Sequence, residues 1–133
     1  MLGVKVNTMR NNTATLTKKL DRIFSKYIRQ RDTQDGYGKC ITCGRFMKYE
    51  DLDCGHFISR TARSTRWDEQ NCHAQCRSCN RFQQGKQFEY GLAIDRKYGE
   101  GTAEQLLIKS KTTARYTAFE LQELINHYKR QIQ

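Results

Sequence analysis

The chain has 133 residues, of which 37% are hydrophobic and 29% charged, with a formal net charge of +10, a pI near 9.5 and a mean hydropathy of −0.88. That length suits one domain, 1–133, with one modest core, and no apolar run approaches a membrane span. The positive balance favours a polyanionic partner, nucleic acid ahead of an anionic membrane surface.

In chain order, residues 1–15 are polar, lack the apolar region of a secretory signal and read as a flexible arm. An N-terminal helical segment follows over 16–35. Leu16, Leu20, Ile23, Phe24, Tyr27 and Ile28 recur there at helical spacing, while Lys18, Lys19, Arg22, Lys26 and Arg29 form a basic face, either solvated or DNA-binding. Asp35-Gly36 marks a turn. Cys40 and Cys43 form a knuckle closed by Gly44, and Phe46, Met47, Tyr49 and Leu52 suggest a short strand running into a turn at 53–56. Residues 59–70 are an Arg/Thr/Ser loop holding the single Trp, without hydrophobic periodicity. Cys76 and Cys79 belong where a strand meets a helix. A second helix is predicted over 86–98, with Phe88, Leu92 and Tyr98 on one side and Gly99 and Gly101 as the stop. Thr102 with Gln105, and Thr117 with Glu120, read as capping boxes opening two C-terminal helices. The last carries a stripe of Leu121, Leu124, Ile125, Tyr128 and Ile132, where Tyr128 and Ile132 are candidates for a dimer interface or for core packing.

The cysteines separate by spacing. Cys40/Cys43 and Cys76/Cys79 are two Cys-x-x-Cys units, the arrangement of a tetrahedral structural Zn²⁺ site, and they point to a reducing, cytoplasmic compartment rather than a secreted disulfide scaffold. Cys54 and Cys72 lack ligand spacing and read as small buried side chains.

The segment between the two pairs contains the candidate chemistry. Asp53-Cys54-Gly55-His56-Phe57 precedes Asn71, and Asn80 follows Cys79. This order resembles the HNH, or ββα-metal, nucleases, which implies an α+β fold: a zinc-braced ββα-metal core over 37–98 with flanking helices, those over 102–133 included. Phosphodiester hydrolysis needs a base to activate water and a hard cation, Mg²⁺ or Mn²⁺, to neutralise phosphate charge. Neutral histidine near pH 7 suits the first task and assigns it to His56. Carboxylate and amide oxygens suit the second and assign Asp53 and Asn80. Three residues apart in a strand, Asp53 and His56 would face opposite sides, so Gly55 is expected to form a bulge that turns both towards one pocket. Asn71 is expected to fix the loop through backbone hydrogen bonds. His73 is either a third cation ligand or an orienting residue. Arg60, Arg63, Arg66, Arg77, Arg81 and Lys86 are candidate phosphate contacts.

The segments CGHFISR, TRWDEQNCHAQCRSCN and QQGKQFEYGLAIDRKYG resemble the NinG/Rap recombination nucleases of lambdoid phages. The resemblance covers roughly 20–110. It implies a divalent-metal endonuclease that cuts branched DNA, Holliday junctions and D-loops included, with His56 at the position of the base and Asn80 after the zinc pair. Paired cuts at a four-way junction would require a homodimer, and a host or phage recombinase is a further possible partner. The competing readings are an HNH nicking or restriction-type enzyme without junction preference, and a zinc-ribbon DNA-binding protein without catalysis.

Overall fold

The computed structural model describes residues 2–133, with side chains from residue 12 onward. The fold is mixed α and β: one long helix, two small antiparallel sheets and four further helices. The chain gathers into two compact units, one formed by residues 1–27 and 115–133, the other by 28–114. No described helix is long and apolar enough to cross a membrane.

The part of α1 (Leu2–Arg31) that belongs to the first unit buries Leu20 and Phe24 completely or nearly so, the i, i+4 stripe that the sequence predicts. The helix begins at Leu2, not near residue 16, so the segment expected as an arm is helical from residue 2 onward. The chain contains no proline to interrupt it. In the same unit, α5 (Ala118–Gln131) opens with the predicted capping box, in which Thr117 and Glu120 satisfy each other's backbone N–H groups. Its Leu121, Ile125 and Tyr128 are buried. Tyr128 meets Phe24 edge to face at 5.0 Å between ring centroids. That packing corrects its candidacy as an interface residue.

The second unit begins with a meander of β1 (Thr33–Gln34), β2 (Tyr37–Lys39) and β3 (Phe46–Lys48), paired in that order. Asp35 and Gly36 link the first two strands with φ of 55° and 82°, the signature of a two-residue primed turn. A single 3-10 turn, Tyr49–Asp51, then separates β3 from β4 (Leu52–His56), so 53–56 is a strand and not the expected turn. β4 pairs antiparallel with β5 (Cys72–Cys76). A one-turn helix, α2 (Arg63–Arg66), lies in the loop between them. A π-turn at Ser78–Phe82 leads from β5 towards α3 (Gln87–Tyr98), with α4 (Thr102–Ser110) next. Gly101 is the N-cap of α4, and the Thr102 hydroxyl donates to Gly99 O at 2.8 Å. The Thr102/Gln105 box is therefore not formed, because Thr102 already lies inside the first turn.

The β4–β5 ladder is unbroken, with Leu52 opposite Cys76, Asp53 opposite Gln75, Cys54 opposite Ala74, Gly55 opposite His73 and His56 opposite Cys72. The bulge expected at Gly55 is absent. A different constraint requires glycine there. A Cβ on Gly55 would overlap the Gln75 side chain, lying 2.9 Å from its Cβ. Gln75 is fully buried and fixed by bonds from its Nε2 to Thr42 Oγ1 at 3.1 Å and to Gly85 O at 2.9 Å. The outer edge of β5 is closed by side chains and a loop. Asp32 Oδ2 accepts from Ala74 N at 2.8 Å, Arg31 donates to Cys72 O at 2.8 Å, and Ile41 N donates to Ala74 O at 3.0 Å. Against the hairpin, Tyr90, Ile94 and Leu106 form the buried centre of a small core with Phe57, Ile58 and Tyr98 around it.

Because Gln75 has no room to withdraw, Gly55→Ala should destabilise the protein by roughly 1–3 kcal/mol through overpacking. Urea denaturation measures this, and an unchanged midpoint would show that the hairpin accommodates the methyl group.

Candidate functional site

The four cysteines of the two Cys-x-x-Cys units converge. The sulfurs of Cys40, Cys43, Cys76 and Cys79 all lie within 4.8 Å of one another. The Cys43–Cys76 separation is 3.8 Å, against an edge of about 3.8 Å for a tetrahedron with Zn–S bonds of about 2.3 Å. Backbone turns aim them: Gly44 N donates to Cys40 O at 2.9 Å, with Gly44 at φ 76°, and Cys79 N donates to Cys76 Sγ at 3.5 Å. Cys40, Cys76 and Cys79 are nearly inaccessible, and Met47 packs against them. Burial pushes the Cys40 thiol up, but hydrogen bonds from the Cys43 backbone and the Thr42 hydroxyl outweigh it and bring it to about 6. Burial and the neighbouring thiols push Cys79 up to about 12. Four crowded sulfurs that cannot all ionise by themselves fit a dication, and these cysteines could hold a structural metal such as zinc.

The unbroken ladder sorts the remaining candidates onto two faces. Cys54, His56 and Cys72 share one; Asp53, Gly55, His73 and Gln75 share the other. On the first, His56 Nε2 lies 2.9 Å from Arg66 O. A carbonyl only accepts, so Nε2 carries the hydrogen and Nδ1 is the basic nitrogen of the neutral ring. The loop that supplies this carbonyl is tied down by Asn71, which is fully buried. Its Oδ1 accepts from Ile58 N at 2.8 Å, and its Nδ2 donates to Ile58 O and Thr65 O at 3.0 Å each. Asn71 thus acts on His56 through the loop, without touching the ring's carbonyl partner directly. Lys109 adds a 2.6 Å ion pair to Asp68, and Ser64 Oγ donates to Lys109 O at 2.8 Å, tying the same loop to α4. Arg60, Arg63 and Arg66 lie in and beside α2, with Arg66 donating to Arg60 O at 3.2 Å and resting over the Trp67 ring.

On the opposite face, Asp53 is a charge hub. Its Oδ2 accepts from Asn80 Nδ2 at 3.0 Å and Arg81 Nε at 2.9 Å, its Oδ1 from Arg81 Nη2 at 2.9 Å. Arg77 approaches at 3.9 Å. Asp53 and Asn80 therefore meet, but His56 is not with them. Lys86 stands apart in the left-handed position before α3, at φ 49°.

His73 belongs to a third arrangement. It is buried opposite Gly55, with Nδ1 3.2 Å from Tyr90 Oη and Nε2 2.8 Å from Tyr98 Oη. Tyr90 donates its hydroxyl hydrogen to Gly55 O at 2.7 Å. Tyr90 must then accept from His73 Nδ1, leaving Nε2 to accept from Tyr98. Both nitrogens are committed to tyrosines, so the ligand reading of His73 does not fit this arrangement. Desolvation, then Arg31 and Lys97, depress this ring to about 3 against an ordinary 6.5. Sequence reasoning missed Tyr90 and Tyr98, whose helical spacing carries no sign of a shared histidine. It also missed the approach of Cys54 and Cys72 to His56, which only strand register creates.

Removing zinc from the four-cysteine cluster should be severe. A structural zinc contributes ~10 kcal/mol or more, comparable with the whole stability of a small domain. Chelation is expected to abolish amide-exchange protection over 37–48 and 72–82; protection that persists in zinc-free protein would show that the thiols suffice alone. For His73, the folded state binds fewer protons than the unfolded state between pH 6.5 and about 3, so stability falls as pH drops through that window, by up to ~1.4 kcal/mol per unit. His73→Gln should flatten this slope relative to wild type in pH-dependent denaturation; an identical slope would assign it to other groups.

A family model described as Bacteriophage Lambda NinG protein matches residues 4–133. No curated protein and no solved structure matches the chain. With the match spanning both compact units and both cysteine pairs, the chain belongs to the bacteriophage lambda NinG protein family.

Proposed function

We propose that the protein is a divalent-metal-dependent HNH endonuclease of phage DNA recombination, a homodimer that cuts branched intermediates such as Holliday junctions and D-loops in the host cytoplasm. Family membership supports the link to recombination. The observation that carries the chemistry is the His56 ring, whose Nε2–H is held by the Arg66 carbonyl at 2.9 Å so that Nδ1 is the proton acceptor. In this reading the hairpin β4–β5 and α3 are the ββα core. His56 takes the proton from the attacking water, and Arg60, Arg63 and Arg66 hold the backbone phosphates beside it. A Mg²⁺ or Mn²⁺ held by Asp53 and Asn80 supplies neutralisation of the charge that builds on the scissile phosphate and leaving oxygen.

The two halves project from opposite faces of β4, which among the described residues has no strand on its other side. We place the DNA backbone along that free edge, where His56 and the Asp53–Asn80 pair can reach it from either side. Arg77 and Arg81 then exchange their contacts with Asp53 for DNA phosphates. One feature favours the non-catalytic alternative: the Asp53 carboxylate, 14% exposed, is already saturated by Arg81 and Asn80. A DNA-binding protein built on the zinc brace would need no more of it than that.

A cleavage assay on junction, D-loop and linear duplex in Mn²⁺ separates these readings. Wild type should cut the branched substrates well above duplex. His56→Ala should lose at least about 10²-fold while keeping the zinc of the four-cysteine cluster, and Asp53→Asn a comparable factor. Wild-type binding without cleavage on any substrate would establish the DNA-binding protein. Equal cutting of duplex and junction would establish the enzyme without junction preference. Full activity in Asp53→Asn would leave Asp53 as an anchor for Arg77 and Arg81 alone.

A further inference from the structure

The hairpin assembles a metal-ligating group that the Cys-x-x-Cys pattern does not include. The sulfurs of Cys54 and Cys72 and a ring nitrogen of His56 all lie within 4.8 Å of one another. Cys72 sits directly opposite His56 in the ladder, and Cys54 is two residues before His56 on the same face. Cys72 is fully buried, whereas Cys54 and His56 are partly accessible, so an ion can enter from solvent while one ligand stays anchored in the interior. Arg66 O stands next to both Cys72, at 3.6 Å, and His56, at 2.9 Å.

We propose that Cys54, His56 and Cys72 form a second metal site, independent of the four-cysteine brace and selective for Zn²⁺-class cations. Two thiolates and one imidazole are soft-to-borderline donors, suited to Zn²⁺, Co²⁺ or Cd²⁺ and unsuited to Mg²⁺. Three protein ligands leave a fourth tetrahedral position for water or another oxygen. Loading converts the two thiols to thiolates and releases their protons to solvent, so occupancy strengthens as pH rises. The site shares no residue with the brace, and its third ligand is the imidazole assigned above as the base. Excess zinc therefore withdraws that base from water activation. The metal site stands on geometry alone; only this inhibitory consequence rests on the nuclease reading.

The test loads the full chain with Zn²⁺, removes free metal by gel filtration and measures zinc per chain, with Co²⁺ absorption as a parallel readout. Wild type should retain two equivalents and Cys54→Ser one. In the Co²⁺ titration, the second equivalent should give weaker thiolate charge-transfer absorption than the first. His56→Gln, which leaves both cysteines in place, serves as the second variant should Cys54→Ser fail to fold, and should also retain one tightly held equivalent. One equivalent in wild type, or two in both variants, overturns the site. Cleavage of junction DNA by wild type should fall at least tenfold between one and two equivalents of Zn²⁺ and return when the weaker equivalent is chelated. Cleavage unaffected by the second equivalent overturns the inhibition. Two equivalents bound, but no cleavage at any loading, leaves the site established and removes the nuclease reading instead.

Discussion

The uninterrupted antiparallel register of β4 and β5 is the constraint on which the second unit depends. Five consecutive pairs, from Leu52–Cys76 to His56–Cys72, fix which side chains share a face, since a strand alternates with period two. A slip of one residue would carry Cys76 away from Cys40 and Cys43, and His56 away from the Arg66 carbonyl. The register is guarded on both sides. Gly55 leaves room for Gln75, whose Nε2 is bound to Thr42 and Gly85. Beyond β5, Arg31 and Asp32 occupy the positions a third strand would take. Burial works against the Asp32 charge, but the Arg31 guanidinium and the Ala74 N–H hold its carboxyl below the usual range, so it stays an acceptor throughout the neutral range.

Around this hairpin, polar side chains do work that a larger core would otherwise do. Tyr98, His73, Tyr90 and Gly55 form a directed hydrogen-bond chain, and every member of it is satisfied. A protonated imidazole would reverse the last link, with Nε2 donating to the Tyr98 hydroxyl. The depressed titration of His73 comes from burial first and then from Arg31 and Lys97. Asn71 performs the matching service for the loop over 57–71, with three side-chain bonds to two backbone positions. Together these two groups immobilise the strand end and the loop that meet at His56.

What the sequence made legible was what is local. The Cys-x-x-Cys units, the Asp35-Gly36 turn and the Thr117–Glu120 box depend on residues within four positions of one another, and each is found where expected. The stripe of Leu20 and Phe24 is also local, since one helical turn links its members. The failures are of two kinds. Some local signals were outcompeted: Gly101 took the cap that Thr102 was expected to hold, and a regular strand prevailed over the bulge at Gly55. Gly55 could have served either purpose, and only the long-range approach of Gln75 decides between them. Others carried no local signal. Cys54 and Cys72 approach each other only through strand register, and His73 meets its tyrosines only after α3 packs on the hairpin. The same limit applies to Asp53 and Asn80, which were expected to meet and do, and to His56, which was expected to join them and faces away.

Alternation along the hairpin therefore separates donors by chemical hardness. Sulfur and imidazole from Cys54, His56 and Cys72 lie on one face. The carboxylate of Asp53 and the amide of Asn80 lie on the other, beside two guanidinium groups. Thiols with an imidazole suit a soft cation, and a carboxylate with an amide oxygen suits a hard one. His73, the one imidazole on the oxygen face, is removed from competition by its tyrosines. The hairpin thus keeps sulfur and imidazole donors apart from carboxylate and amide donors within one strand pair, using nothing beyond the period of a β-strand and one satisfied histidine.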